Sequence, residues 1–67
     1  MRAMDLKKAV ETLGNRANLD VYLRSGVKIT GTIPAFNDGS AVCVHDVGGK
    51  PAIISVEAID AVQWAGA

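Results

Sequence analysis

The apolar residues of this chain change period once, and that change limits the fold more than any other feature of the sequence. From Asp5 to Leu13 they are Leu6, Ala9, Val10 and Leu13, spaced i, i+3, i+4 and i+7, which is one face of an α-helix. Lys7, Lys8, Glu11 and Thr12 fill the other face. Gly14 and Asn15 both tolerate positive φ and stop the helix. The spacing therefore predicts an amphipathic helix over about 5–14, which has to lie on something apolar.

Beyond Asn18 the period is 2. Leu19, Val21 and Leu23 alternate with Asp20, Tyr22 and Arg24, the mark of a strand with one buried and one polar face. Ser25-Gly26 is a two-residue break that suits a tight hairpin. A second strand follows with Val27, Ile29, Gly31, Ile33 and Ala35 on one face and Lys28, Thr30 and Thr32 on the other. Gly31 inside it marks a bend or bulge, and Pro34 an edge or irregular end. Asn37-Asp38-Gly39-Ser40 is a turn signal. A third strand runs from Ala41 to Val47, Gly48-Gly49-Lys50-Pro51 turns the chain, and Ala52 to Val56 and Ala58 to Gln63 form two more, with Glu57 near a tight corner.

Five strands over about 19–63, with turns every few residues, indicate a small barrel. The choice is between an SH3-like and an OB-like barrel, and the strand lengths favour the first. The expectation is a single domain over 1–67, mainly β with one N-terminal helix: a five-stranded, strongly bent antiparallel small barrel of SH3 type.

Size then matters. A chain of 67 residues buries only about 60% of the surface its unfolded form exposes, so such domains usually lean on disulfides, a metal or partner subunits. One Cys and one His provide neither an intrachain disulfide nor a four-ligand zinc site. Oligomerisation or an unusually good core is what remains, and a hydrophobic content of 49% fits a chain whose neighbour covers part of its surface. Lys plus Arg equals Asp plus Glu at 7 each, so the basic excess that drives nonspecific nucleic-acid binding is missing. No uncharged stretch reaches the length of a membrane span. Met1-Arg2-Ala3-Met4-Asp5 lacks the pattern of a secretion signal, and the lone Cys43 suits a reducing compartment. The chain reads as cytoplasmic, with no membrane partner.

The segment Val21-Tyr22-Leu23-Arg24-Ser25-Gly26-Val27-Lys28-Ile29-Thr30-Gly31-Thr32-Ile33, with Phe36-Asn37 beyond it, resembles the Sm-like superfamily, and Hfq most closely. The shared pattern is Tyr22-Leu23, Gly26-Val27-Lys28-Ile29 and Gly31. The helix before it and Ala58-Ile59-Asp60-Ala61-Val62 after it fit the same frame, so the resemblance spans nearly the whole chain. It implies a homo-oligomeric ring, a hexamer first, with five or seven subunits left open. In such a ring the fourth strand of one subunit pairs with the fifth of the next, which would remove two apolar strand edges that proteins avoid exposing.

The same resemblance implies an asymmetry between the two faces of the ring. At the family's Tyr-Lys-His run, which holds uridine-rich RNA near the pore, this chain has Ser55-Val56-Glu57. Asp38-Gly39 stands for the Gln-Phe pair whose ring stacks on a base, and Ala41 for the Asn of other Sm loops. These departures imply loss of the pore-side site. On the opposite face, where the family binds adenine-rich RNA, Tyr22, Leu23, Gly26, Val27, Lys28 and Ile29 match, while Thr30 replaces a Gln whose amide pairs with adenine. The expected partner is single-stranded RNA, with weakened base selectivity. The family's arginine rim is reduced to Arg16, beside Leu13, Gly14 and Asn15.

Each feature also has a plainer reading. Tyr22 and Lys28 form either a base-stacking site or the solvated face of two paired strands. Arg16 reads first as an ordinary surface residue. His45 beside Asp46 reads as a surface pair and Cys43 as a small buried hydrophobe. Trp64 either anchors an interface or packs on the helix of its own subunit. No nucleophile–base pair, Gly-rich phosphate loop or metal-ligand cluster is present, so no catalytic residue, metal or cofactor is expected. The first functional reading is an RNA-binding ring; the other is an Sm-like ring with a structural or protein-interaction role and little RNA binding.

Overall fold

The computed structural model describes residues 1–34 and 39–66. The expectations for Ala35, Phe36, Asn37 and Asp38 lie outside the described residues.

Helix α1 runs Ala3–Leu13 and buries Leu6 and Val10, with Ala3 and Leu13 packed beside them. It begins two residues before the expected start. It ends as the sequence requires, with Gly14 at φ 105° and its N–H donating to Val10 O. The last carbonyls of a helix have no intrahelical donor. One of them, Leu13 O, accepts from the indole Nε1–H of Trp64 at 2.8 Å. Trp64 thus packs toward its own helix, the second of its two readings, while its side chain stays 59% exposed.

Five strands follow: β1 (Leu19–Leu23), β2 (Lys28–Thr32), β3 (Ala41–Asp46), β4 (Pro51–Ser55) and β5 (Ile59–Trp64), with a single 3-10 turn at Val56–Ala58 between the last two. All pairs are antiparallel and the order is β4-β3-β2-β1-β5. This bears out the expected architecture of one helix and a bent five-stranded antiparallel sheet. β2 is central, and β4 and β5 are the two outer strands of the sheet.

The β1–β2 connection is a three-residue loop, not the two-residue break read from Ser25-Gly26. Leu23 N donates to Val27 O at 2.8 Å and Gly26 N to Leu23 O at 2.9 Å. Gly26 closes the loop at φ 92°, the left-handed position that such a loop requires. The β3–β4 loop repeats the device, with Asp46 N to Lys50 O at 3.0 Å and Gly49 N to Asp46 O at 2.9 Å. There the Asp46 carboxylate accepts from Gly48 N and Lys50 N. The expected His45–Asp46 pair is therefore corrected: Asp46 serves the turn, and His45 is simply exposed.

Among the described residues β2 meets β3 at two register positions, Gly31↔Asp46 and Thr32↔His45. A Cβ at Gly31 would lie 2.1 Å from the His45 carbonyl oxygen. The bend read from Gly31 is thus a close crossing of two backbones, which only glycine permits. The core beneath is Leu6, Val10, Leu19, Val21, Ile33, Val42, Val44, Ile54, Val56 and Ile59. It joins the helix to every strand except β2 itself, whose Ile29 packs at its margin. Cys43 is only half-buried, because it shares the face of Ile53 across β3–β4 and not the core face of Val42 and Val44.

Candidate nucleic-acid interface

Register places the candidate side chains. In β1–β2, Tyr22 is opposite Lys28 and Asp20 opposite Thr30. In β1–β5, Tyr22 is opposite Ala61 and Asp20 opposite Gln63. Directly opposed residues share a sheet face, so Asp20, Tyr22, Lys28, Thr30, Ala61 and Gln63 form one surface, on the side away from the core residues Leu19 and Val21. The β1–β5 register shifts between Tyr22 and Leu23, which lets Leu23 meet Ile59 while Tyr22 still meets Ala61.

Of the seven residues grouped by the sequence, the structure brings Tyr22, Lys28 and Thr30 together here. Gly26 and Val27 lie at the adjoining hairpin, both exposed, with Val27 at 52%. Leu23 and Ile29 fall on the other side and pack against the core cluster. Gly26 has open space around it, and its backbone conformation alone accounts for the glycine. Arg16 is exposed just beyond α1.

Period-2 reading put Asp20 on the polar face, and the structure corrects its exposure. Asp20 is only 8% exposed, flanked by β2 and β5, and its Oδ1 accepts from Thr30 Oγ1 at 2.5 Å. A buried carboxylate needs such a donor. The Thr30 hydroxyl is therefore committed to Asp20. Thr30→Val keeps the shape and removes the donor. Hydrogen bonds to charged groups contribute about 1.5–3 kcal/mol, so this variant is expected to lower the denaturation midpoint at unchanged m-value.

Two polar residues escaped the sequence reading. Gln63 Nε2 donates to the Tyr22 hydroxyl oxygen at 3.0 Å. Arg24 spans from the β1–β2 loop to the 3-10 turn, its Nη2 donating to Glu57 O at 3.0 Å and its backbone N to Ala58 O at 2.7 Å. The signal for Gln63 was its parity with Ala61 on β5, hidden by the register shift nearby.

The Ser55-Val56-Glu57 segment has a different character. Val56 is buried, and its N–H donates to Ser40 O at 2.9 Å. A cleft of about 300 Å³ adjoins it, lined by Met1, Arg2, Ala3, Gly39, Ser40, Val56 and Glu57. No aromatic ring is among those residues. Among the described residues no group of three or more His, Cys, Asp or Glu could hold a metal ion, and no helix is long and apolar enough to cross a membrane.

An N-terminal helix leading into a strongly bent five-stranded antiparallel sheet, with β4 and β5 outermost, is the Sm-like fold of Hfq type. A 1.55 Å crystal structure of the pleiotropic translational regulator Hfq matches it with a TM-score of 0.71 and 23% sequence identity, over 88% of this chain and 97% of that one. No family model matches the sequence, and no curated protein does. The likeness is one of fold.

Proposed function

We propose that this chain assembles into a homo-oligomeric ring and holds single-stranded RNA on the face carrying Tyr22 and Lys28. The observation that carries the reading is the cross-strand pairing of Tyr22 with Lys28. An aromatic ring that can stack on a base stands directly beside a cation that can meet a phosphate. Stacking contributes about 1–3 kcal/mol per base and tolerates any sequence, and a lysine neutralises one phosphate. Among the described residues nothing pairs with the Lys28 ammonium.

The two outer strands support the ring. β4 and β5 each pair on one side only, and β4 presents Ile53 at 72% exposure. Pairing β4 of one copy with β5 of the next would satisfy both edges and close a cycle. Six subunits is the first expectation, with five or seven as alternatives. The protein acts by holding RNA, not by chemistry, and works in the cytoplasm. The pore side, with buried Val56 and anionic Glu57, takes no part.

Fluorescence anisotropy with adenine-rich and uridine-rich oligonucleotides tests this. Wild-type protein is expected to bind the adenine-rich strand at micromolar or tighter concentration, in order of magnitude. Tyr22→Ala and Lys28→Ala are each expected to weaken binding about tenfold. Absence of binding to either strand at low salt sinks the RNA reading, because low salt favours every phosphate contact. The second reading, a ring with a structural or protein-interaction role, draws on the zero net charge and on Val27 and Val47, exposed at 52% and 78%.

A further inference from the structure

We propose that Gln63 is a base-reading residue of the Tyr22 face, its amide taking the N6–H donor and N7 acceptor of an adenine stacked on Tyr22. The inference rests on the reading of this face as a single-stranded RNA site and adds the residue that would give it selectivity.

Register puts Gln63 on the same surface as Tyr22, and the 3.0 Å bond from Nε2 places its amide at the hydroxyl tip of the ring. That bond uses one of the two amide N–H donors. The second N–H and the carbonyl Oε1 remain. An exposed glutamine normally loses rotamer freedom when it binds; one already tethered to a phenol loses less, which favours binding.

The free groups fit one base best. Adenine presents an N6–H donor beside the N7 acceptor, the pair a glutamine amide matches, whereas guanine presents two acceptors on that edge. Uracil and cytosine have no N7. The other described side chains of this surface cannot make the same contact. Lys28 offers donors only, the Thr30 hydroxyl is committed to Asp20, and Ala61 has no polar group. The amide that the family carries at Thr30 is thus supplied here from the other side of Asp20, by β5 instead of β2.

The test is anisotropy with oligoadenylate and with the same strand carrying 7-deazaadenosine, which lacks N7. Wild-type protein is expected to prefer oligoadenylate by about fivefold or more. Gln63→Met keeps length and loses the amide, and is expected to bind both strands equally, at the weaker level. Gln63→Glu keeps the acceptor without the N–H and should also lose the preference. Tyr22→Phe keeps the ring but frees the amide; it should retain affinity for the deaza strand while the preference falls.

A purely structural role for Gln63 would weaken both strands in parallel and leave their ratio unchanged. Equal binding of the two strands by wild type, or an undiminished ratio in Gln63→Met, overturns the inference and leaves RNA binding standing. Binding of neither strand by wild type removes the RNA reading itself, and this inference with it. Gln63 is exposed, so an unchanged melting curve for Gln63→Met certifies the fold in each comparison.

Discussion

Gly31→Ala is expected to cost about 3 kcal/mol or more and to lower Tm by roughly 15 °C or more, enough to leave little folded protein. A Cβ there meets His45 O at 2.1 Å, His45 C at 2.7 Å and Asp46 Cα at 2.8 Å. All three are backbone atoms held in a ladder, so no side chain can swing away. Relief requires β2 and β3 to separate, and among the described residues Gly31↔Asp46 and Thr32↔His45 are the positions at which they pair. A domain of this length has about 3–10 kcal/mol to lose. Gly26→Ala is the control. Its φ of 92° strains any side chain, but nothing lies within 4 Å, so its cost is about 1–2 kcal/mol. Thermal unfolding by circular dichroism compares them. A Gly31→Ala protein that melts no lower than Gly26→Ala would show that the crossing can open at little cost.

The sequence signalled that crossing only halfway. Period-2 alternation put Ile29, Gly31 and Ile33 on one side of β2, and a glycine among them asked for a bend. The pattern could not name what comes close, because His45 lies 14 positions on and belongs to another strand. Local signals reached as far as local physics: the helix stop at Gly14, the turns, and the core face of Leu19 and Val21. They failed where a distant partner decides. Asp20 reads as solvated from its alternation, yet Thr30 and the two flanking strands hold it out of water. Cys43 sits in an apolar run, and only the β3–β4 register assigns it to the outer face with Ile53.

The candidate site divides the same way. Tyr22 and Lys28 were legible as a pair because one short hairpin fixes their register. Gln63 was not, because 41 residues separate it from Tyr22 and the β1–β5 register shifts close by. The family pattern could not point to it either, since it directs attention to position 30, where the amide is missing. Leu23 and Ile29 belong to the pattern for a different reason: they anchor the hairpin to the core while their neighbours face outward.

The other large effect is expected at the opposite edge of the sheet. Ile53→Lys is expected to leave each subunit folded and to abolish the ring. Ile53 is 72% exposed in the single chain, whereas Ile54 beside it is 6%, so a lysine at 53 disturbs little within the subunit. Lysine on an outer strand is a common means of preventing edge-to-edge pairing. If β4 pairs with β5 of a neighbour, residue 53 stands about 5 Å from the side chains opposite it, and the charge must be desolvated or the pairing given up. A weakening on the order of 1 kcal/mol per contact is modest, but every copy carries the change. A closed ring therefore accumulates it once per subunit. Native mass spectrometry reads the result directly: an assembly for wild type and a single-subunit mass for Ile53→Lys, with matching circular dichroism spectra. Ile54→Lys should lose both the spectrum and the assembly, because there the charge enters the core. An Ile53→Lys ring of wild-type mass would exclude β4 from the interface, and a monomeric wild type would remove the ring altogether.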